Sequence, residues 1–307
     1  MSTPFSQPAP GSSASDARFE FWQQLRRQPA GVLGLIMLLM AVGMAIFAAQ
    51  IAPYDPYQPV RARLDTMYAV PSAEHSWGTD DAGKDVLSQF IYGARVSLFV
   101  GFSAALITVT IGGLVGLVAG YFGGWISTLL MRITDIFLVI PDLPLYVVLV
   151  ALLGPNIWNI ILAIAVIGWT GTARVVYAQT LSVRERLFIK RAKAIGASDI
   201  YILFRHILPA ILPLLLAQNA LAVSLAILSE SGLAFIGLGD PRLISWGTML
   251  NFAFNRGAIS IGAWWAILPP GLGIVWVVLA WTLLGYVIEE IINPRGQTHH
   301  LMPERKR

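Results

Sequence analysis

The sequence predicts an all-α, polytopic membrane protein with six transmembrane helices. Of its 307 residues, 56% are hydrophobic and 12% are charged, about half the charged fraction of a soluble domain. The apolar residues form runs of about 20, the length that a helix needs to cross a bilayer, without the two-residue alternation of barrel strands. A chain this apolar is not disordered, and a net charge of +4 is too small to indicate a nucleic-acid partner.

The predicted spans are residues 31–51, 97–119, 133–153, 157–175, 207–228 and 264–288. The third is interrupted by Pro141, Asp142 and Pro144. Asp142 is the candidate for a pathway residue, because a helix broken within the membrane exposes polar backbone where it lines a water-filled cavity.

Six spans place both termini on one side of the membrane. Fifteen of the 21 Lys and Arg residues lie in segments on that side, and six lie opposite. The positive-inside rule therefore predicts cytoplasmic termini in a multi-pass cell-membrane protein. The predicted organisation is a disordered cytoplasmic tail (1–30), the first span (31–51), an outer segment (52–94), a core (95–290) and a second tail (291–307). A cleaved signal peptide is the alternative for 31–51, but its apolar core would be shorter.

The basic loop 177–206 is predicted to be a cytoplasmic helix–turn–helix. Ser182 and Glu185 form a capping-box pattern at the start of its first helix. Gly196 suits the end of that helix, and Ser198 or Asp199 can cap a second helix that continues into span five. The alternative is a solvated basic connector that only sets orientation.

Ala192, Gly196 and Leu208-Pro209 are spaced as in the EAA loop of ABC-importer permeases, which this segment resembles. Six further blocks, in order, are similar to C-type dipeptide/oligopeptide permeases: HSWGTDDAGKDVLS (75–88), IYGARVSL (91–98), FRHILP (204–209), GLAFIGLG (232–239), SWGTML (245–250) and NPR (293–295). The resemblance covers about residues 20–296.

The resemblance implies a type I ABC-importer permease fold that forms half of a pathway for peptides. It implies four kinds of partner: a B-type permease, two ATP-binding subunits, an extracytoplasmic substrate-binding protein and the lipid membrane. ATP and magnesium would be bound by the ATP-binding subunits, so this chain would carry no cofactor and no catalytic site. Nickel chelates and glutathione are alternative substrates within the family, and an ion-coupled secondary transporter is the alternative outside it.

In such permeases the EAA loop contains the coupling helix, which enters a cleft on the ATP-binding subunit. The residues implied here are Arg186, Lys190, Arg191, Ala192, Gly196 and Pro209. Lys190-Arg191-Ala192 replaces the family's Glu-Ala-Ala, so a base stands where the acid is usual. We expect Lys190 to meet an acidic rim on the ATPase and Arg191 to face lipid headgroups.

Residues 78–84 have the spacing of a phosphate loop, but Asp85 stands where a magnesium-binding Ser or Thr belongs. We therefore expect no nucleotide site there. Residues 86–94 have apolar side chains at helical spacing, which predicts an interfacial helix capped by Asp80 or Asp81.

Few ionisable residues fall within the spans. Arg132 and Asp135, three residues apart, are predicted to neutralise each other. No buried chain of His and carboxylate residues indicates a proton relay. Four glycines, at positions 112, 116, 120 and 124, form a ridge that favours close helix packing, either within the chain or between subunits.

Overall fold

The computed structural model describes residues 23–58 and 67–292. The predicted tail residues 1–22 and 293–307, with the NPR block, lie outside this range. The described residues are helical and contain one isolated β-bridge, Thr79 with Asp85, and no extended strand.

The α-helices are numbered here in chain order. They are α1 (Pro29–Ile46), α2 (Ala48–Ile51), α3 (Val86–Phe122), α4 (Gly124–Val139), α5 (Asp142–Leu153), α6 (Ile157–Arg184), α7 (Leu187–Ala194), α8 (Asp199–Ile202), α9 (Leu208–Leu233), α10 (Trp246–Asn255) and α11 (Leu268–Ile292). A π-helical segment, Leu203–Ile207, joins α8 to α9. A second one, Ala234–Leu238, extends α9, and the 3-10 turn Trp264–Ala266 precedes α11.

Five helical segments among the described residues are long and apolar enough to cross a membrane. They are Pro29–Ile46, Val86–Phe122, Ile157–Arg184, Asp199–Leu238 and Trp264–Ile291. The pair α4 and α5 gives a sixth span if it is counted as one, but it is bent by 89°. The predicted third span, 133–153, is thus broken in the part of the sequence where its prolines interrupt it, and its first helix begins earlier, at Gly124. Pro141 explains the break, because a residue before proline avoids the helical region, and Ile140 is extended (φ −86°, ψ 127°).

The second span begins earlier than predicted. Residues 86–94 are the first turns of the 37-residue helix α3, so the separate interfacial helix expected there is wrong. The N-cap of α3 is Asp85, whose side chain accepts from the Ser88 N–H at 2.8 Å. The first turns of α3 are not available to a membrane surface, because Phe90 is buried and stacks on the buried ring of Trp246.

The glycine ridge of α3 packs against α6 within this chain. A Cβ atom at Gly112 or Gly116 would lie 2.5 Å from a backbone oxygen of α6, and one at Gly120 would lie 2.7 Å from Cβ of Thr180. Any larger side chain would push the helices apart. The intramolecular use of this ridge is confirmed, although Gly124 lies beyond the end of α3.

The first span is anchored on α3 by Arg95. Its Nε donates to the carbonyl oxygen of Ala45 at 2.6 Å, and its Nη2 donates to that of Ile46 at 3.0 Å. These carbonyls end α1 and have no partner within the helix, and a cation is favoured at that end of the helix dipole. Arg95 thus fixes α1 against the core that α3, α6, α9 and α11 form.

Candidate functional site

The basic loop 177–206, called the coupling loop here after its predicted role, is a helical hairpin that continues from α6 and leads into α9. Helix α6 continues to Arg184, and the N–H of Glu185 still donates to the carbonyl oxygen of Leu181. Ser182 therefore lies inside the last turn of α6, and the predicted capping box is wrong. The N-cap of α7 is Arg186, which has extended backbone and makes no capping bond with its side chain.

The turn after α7 is built as predicted. Gly196 has φ +86°, a conformation in which a Cβ atom is strained. Its N–H donates to the carbonyl oxygen of Lys193, and the N–H of Ala197 donates to that of Ala192, both at 3.0 Å. These two bonds form a Schellman motif. Ser198, not Asp199, is the N-cap of α8, and its Oγ accepts from the N–H of Tyr201.

Asp199 instead binds the end of α3. Its Oδ1 accepts a hydrogen bond from the hydroxyl of Tyr121, and Nζ of Lys193 lies 4.6 Å from the centre of the Tyr121 ring. Arg184 caps the same helix end, because its Nη1 donates to the carbonyl oxygens of Gly120 and Tyr121 at 3.3 and 2.8 Å. Both arms of the coupling loop are therefore tied to α3. These contacts join residues 63 to 78 positions apart, and no spacing rule predicts them.

An apolar cluster supports the loop from beneath. Ile189 of α7 is buried with Ile202 and Ile207, and Ala192 packs against the same cluster. The opposite surface of the hairpin is apolar and open. Its exposed large side chains are Leu187, Phe188, Ile195, Ile200, Tyr201 and Phe204. This hairpin has one buried and one open apolar surface, which is typical of an element that docks on another protein.

Basic residues of α7 and its N-cap alternate in sequence with these apolar side chains. Arg186, Lys190 and Arg191 are exposed, as is Pro209 in the first turn of α9. Nζ of Lys190 lies 2.9 Å from Oε2 of Glu185, so Lys190 has a partner within the loop itself. The hydrogen bond from Lys190 lowers the pKa of the Glu185 carboxyl.

Asp142 lies apart from the coupling loop. It is the first residue of α5, directly after the break at Pro141, and its side chain is exposed on this chain. The structure therefore keeps it at the surface of a broken span.

The predicted pairing of Arg132 with Asp135 is wrong. Asp135 Oδ1 is paired with Nη2 of Arg174 on α6, because α4 lies against α6. The sequence places Arg174 at the end of the predicted span 157–175, whereas α6 extends ten residues beyond it.

In residues 78–84, which have phosphate-loop spacing, backbone N–H groups bind the side-chain carboxylate of Asp80. Asp80 Oδ1 accepts from the N–H groups of Ala82 and Lys84 at 2.9 and 2.8 Å, and Oδ2 accepts from Nε2 of Gln89 at 2.6 Å. Burial raises the pKa of the Asp80 carboxyl, and these hydrogen bonds offset part of that increase. The backbone donors that would hold a phosphate are already bound to a carboxylate, so the geometry does not suit a nucleotide.

The burial of two polar side chains, His75 and Glu230, was not predicted from the sequence. His75 Nδ1 lies 3.1 Å from Oδ1 of the buried Asp85, in the segment before α3 and outside the spans. Glu230 of α9 is 2% exposed and lies within 3.5 Å of the hydroxyls of Ser97 and Ser231. Only packing reveals their burial, since both residues sit beside polar sequence.

A bundle of five or six apolar spans among the described residues defines a polytopic membrane protein. Comparison with known proteins agrees. Residues 112–297 match the family described as "Binding-protein-dependent transport system inner membrane component", and residues 19–71 match "N-terminal TM domain of oligopeptide transport permease C". The chain belongs to this family of inner-membrane components, so it is a multi-pass inner-membrane protein.

Three curated relatives match nearly end to end. The dipeptide transport system permease protein DppC of Alkalihalophilus pseudofirmus is 36% identical, over 95% of this chain and 97% of its own length. The di/tripeptide transport system permease protein DppC of Pseudomonas aeruginosa is 37% identical over 90% and 91%. The glutathione transport system permease protein GsiD of Escherichia coli is 38% identical over 90% of each.

Proposed function

We propose that this chain is the C-type permease subunit of an ATP-driven importer, and that it forms half of a peptide pathway with a B-type permease. The relatives whose names specify dipeptides or di/tripeptides support this substrate class. The GsiD relative supports glutathione, itself a tripeptide, as the second candidate.

The observation that carries the coupling role is the open apolar surface of the hairpin. Ile195 is 86% exposed at the turn, although it lies among basic residues rather than in lipid. Apolar surface of this kind is stabilised by docking on a partner. We propose that Leu187 and Ile195 enter a cleft on an ATP-binding subunit, with Arg186 and Lys190 at its rim and Arg191 toward the lipid headgroups. Ala192 and Gly196 shape the turn, and Pro209 begins the span behind it.

In this proposal two ATP-binding subunits hold ATP and magnesium on the cytoplasmic side, where both termini of this chain also lie. Their closure moves the coupling loop, and the loop moves α3 through Tyr121. An extracytoplasmic binding protein delivers the peptide from the other side. This chain forms no covalent bond with its substrate, and Asp142 faces the pathway at the broken span.

Purification through a tag on this chain tests the assembly. An ATPase and a second permease should copurify, and the reconstituted complex should move a labelled dipeptide only with ATP and the binding protein. Ile195→Glu should release the ATPase while the chain stays in the membrane. Ser76→Glu, an exposed position outside the loop, is the matched control. Transport by the chain without an ATPase would instead support an ion-coupled transporter.

Competition separates the two substrate candidates. Excess unlabelled dipeptide should abolish uptake of a labelled dipeptide, and glutathione should not. The opposite ranking would assign the chain to glutathione transport.

A further inference from the structure

An ion pair joins two helices of the membrane-spanning region. Arg174 of α6 and Asp135 of α4 are in contact through Nη2 and Oδ1. Both side chains are open on the surface of this chain, with exposed fractions of 51% for Arg174 and 36% for Asp135. The pair is therefore held together and yet reachable from one side.

The pair lies near the cytoplasmic ends of two predicted spans, since Asp135 is the third residue of 133–153 and Arg174 is the second to last of 157–175. Arg174 is ten residues before the end of α6, about 15 Å along the helix axis, and Asp135 is eleven residues after the start of α4, about 16 Å. Asp135 stands between Thr134 and Ile136, and Arg174 stands between Ala173 and Val175.

Charged side chains on membrane-spanning helices almost always face a bundle interior or a water-filled cavity, not lipid. The adjacent break between α4 and α5 leads to the same conclusion, because the backbone groups freed at a break are not tolerated in lipid. Helices α4 and α5 also bury few of their own residues, namely Ser127, Thr134, Tyr146 and Val150. These observations favour a position of the exposed surface of α4 to α6 beside the pathway in the assembled importer.

A peptide brings the complementary charges to this surface. At neutral pH its carboxylate matches the guanidinium of Arg174, which binds carboxylates with two parallel hydrogen bonds, and its ammonium matches Asp135. Without a peptide the two side chains neutralise each other, which avoids an unpaired charge in a medium of low polarity. When a zwitterionic peptide enters, the ion pair between Asp135 and Arg174 is replaced by two ion pairs with the peptide. Each charge therefore has a partner both before and after the peptide binds.

We propose that Asp135 and Arg174 form a binding station for the charged ends of a passing peptide. This inference rests on the proposed function as a peptide permease, and it names the residues that contact the substrate within the membrane.

A reporter cysteine tests the station. Gly171 lies one turn before Arg174 on α6, and nothing lies within 4 Å of a Cβ atom built there. The chain has no cysteine, so Gly171→Cys is its single thiol and both charges remain. In the detergent-solubilised importer without binding protein, a hydrophilic thiol reagent should label Gly171→Cys. A dipeptide at millimolar concentration should slow this labelling severalfold, and the corresponding dipeptide amide, which lacks the carboxylate, should not.

Second-site variants make the test specific. Protection by the dipeptide should be lost in Arg174→Gln and retained in Arg174→Lys, which keeps the charge. Transport by the reconstituted importer should fall about tenfold or more in Arg174→Gln. Absence of labelling, or equal protection by the dipeptide in the Arg174→Gln background, would overturn the station.

A charge swap distinguishes substrate binding from a purely structural pair. Asp135→Arg combined with Arg174→Asp preserves an ion pair but exchanges its poles, so transport should stay impaired. Full recovery would show that only the pairing matters and would also overturn the inference. If the wild-type complex itself moved no peptide, the proposed function would fail instead, which separates the two results.

Discussion

The hydroxyl of Tyr121 donates a hydrogen bond to Oδ1 of Asp199, and so links the last turn of α3 to the first residue of α8. Tyr121 is 2% exposed, and Lys193 covers the face of its ring. The two partners lie in a span and in the coupling loop, so any movement of α8 would act on α3 through this contact. The hydrogen bonds from Arg184 to the carbonyl oxygens of Gly120 and Tyr121 link the loop to the same helix end.

Loss of this hydrogen bond should uncouple ATP hydrolysis from transport. Tyr121→Phe keeps the buried ring and the Lys193 contact but removes a bond to a carboxylate, which is worth about 1.5–3 kcal/mol. We expect the number of peptides moved per ATP to fall severalfold, while ATPase activity changes less. The measurement is simultaneous uptake and phosphate release in proteoliposomes. Asp199→Asn should act similarly, and the double variant should be no worse than either single one. Additive losses would contradict a shared contact.

Substitutions at Gly196 should be tolerated in the order in which the new residues adopt the left-handed backbone conformation. Gly196→Asn should keep most transport, because Asn adopts this conformation more readily than other side chains. Gly196→Ala should cost about 1–2 kcal/mol locally. Gly196→Pro should abolish transport, because it fixes φ near −65° and removes the N–H that donates to Lys193. Immunoblots of membranes should show equal amounts of all three variants, and the ATPase stimulation of each complex reports the coupling.

Ala192→Trp should also stop transport, since Ala192 packs on the cluster beneath the loop and a large side chain would displace the hairpin. The comparison variant is Ser76→Trp, which places the same side chain at an exposed position outside the loop. Normal transport by Ala192→Trp would remove Ala192 from the coupling surface.

The Glu185 and Lys190 pair decides between two roles for Lys190. Lys190→Glu should reduce transport more than Lys190→Ala, because it places a carboxylate beside Glu185. A higher salt concentration should reduce the difference in transport rate between these two variants, since it screens the repulsion. Glu185→Lys combined with Lys190→Glu should restore transport if the pair acts within the loop. Failure of this swap would indicate instead that Lys190 meets an acidic rim on the ATPase.

The same pair predicts a pH dependence of loop stability. The pKa of Glu185 is lowered in the folded chain, so its stabilising contribution is present above the ordinary glutamate pKa and is lost as the pH falls through the lowered value. Protease cleavage of the loop should therefore increase at acidic pH in the wild type. Glu185→Gln should show a smaller increase.

Cysteine labelling should establish the orientation of the spans. Cysteines at Ser76 and Ser260, both exposed, should react with a membrane-impermeant thiol reagent in intact cells, and one at Ser198 should react only after permeabilisation. Ser245 is unsuitable although it lies in the same outer segment by sequence, because it is buried and caps α10. Labelling of Ser198→Cys alone in intact cells would reverse the topology.

Local features of this protein follow from the sequence because their causes are local. The apolar run lengths locate the spans, and Gly196 and Ser198 locate the turn and the cap of the hairpin, since each depends on backbone bonds a few residues apart. Pro141 likewise marks the break in the third span, although its angle does not follow from the sequence.

The tertiary structure alone decided which distant groups meet. Spacing favours Arg132 as the partner of Asp135, yet the packing of α4 on α6 presents Arg174 instead. The same holds for Tyr121 with Asp199, and for the burial of Glu230 and Ser245. A helix pattern fixes which residues share a face, but the side chain that lies opposite depends on how two helices are rotated and shifted against each other. That arrangement is set by close contacts such as those of Gly112 and Gly116, whose partners lie far away in the sequence.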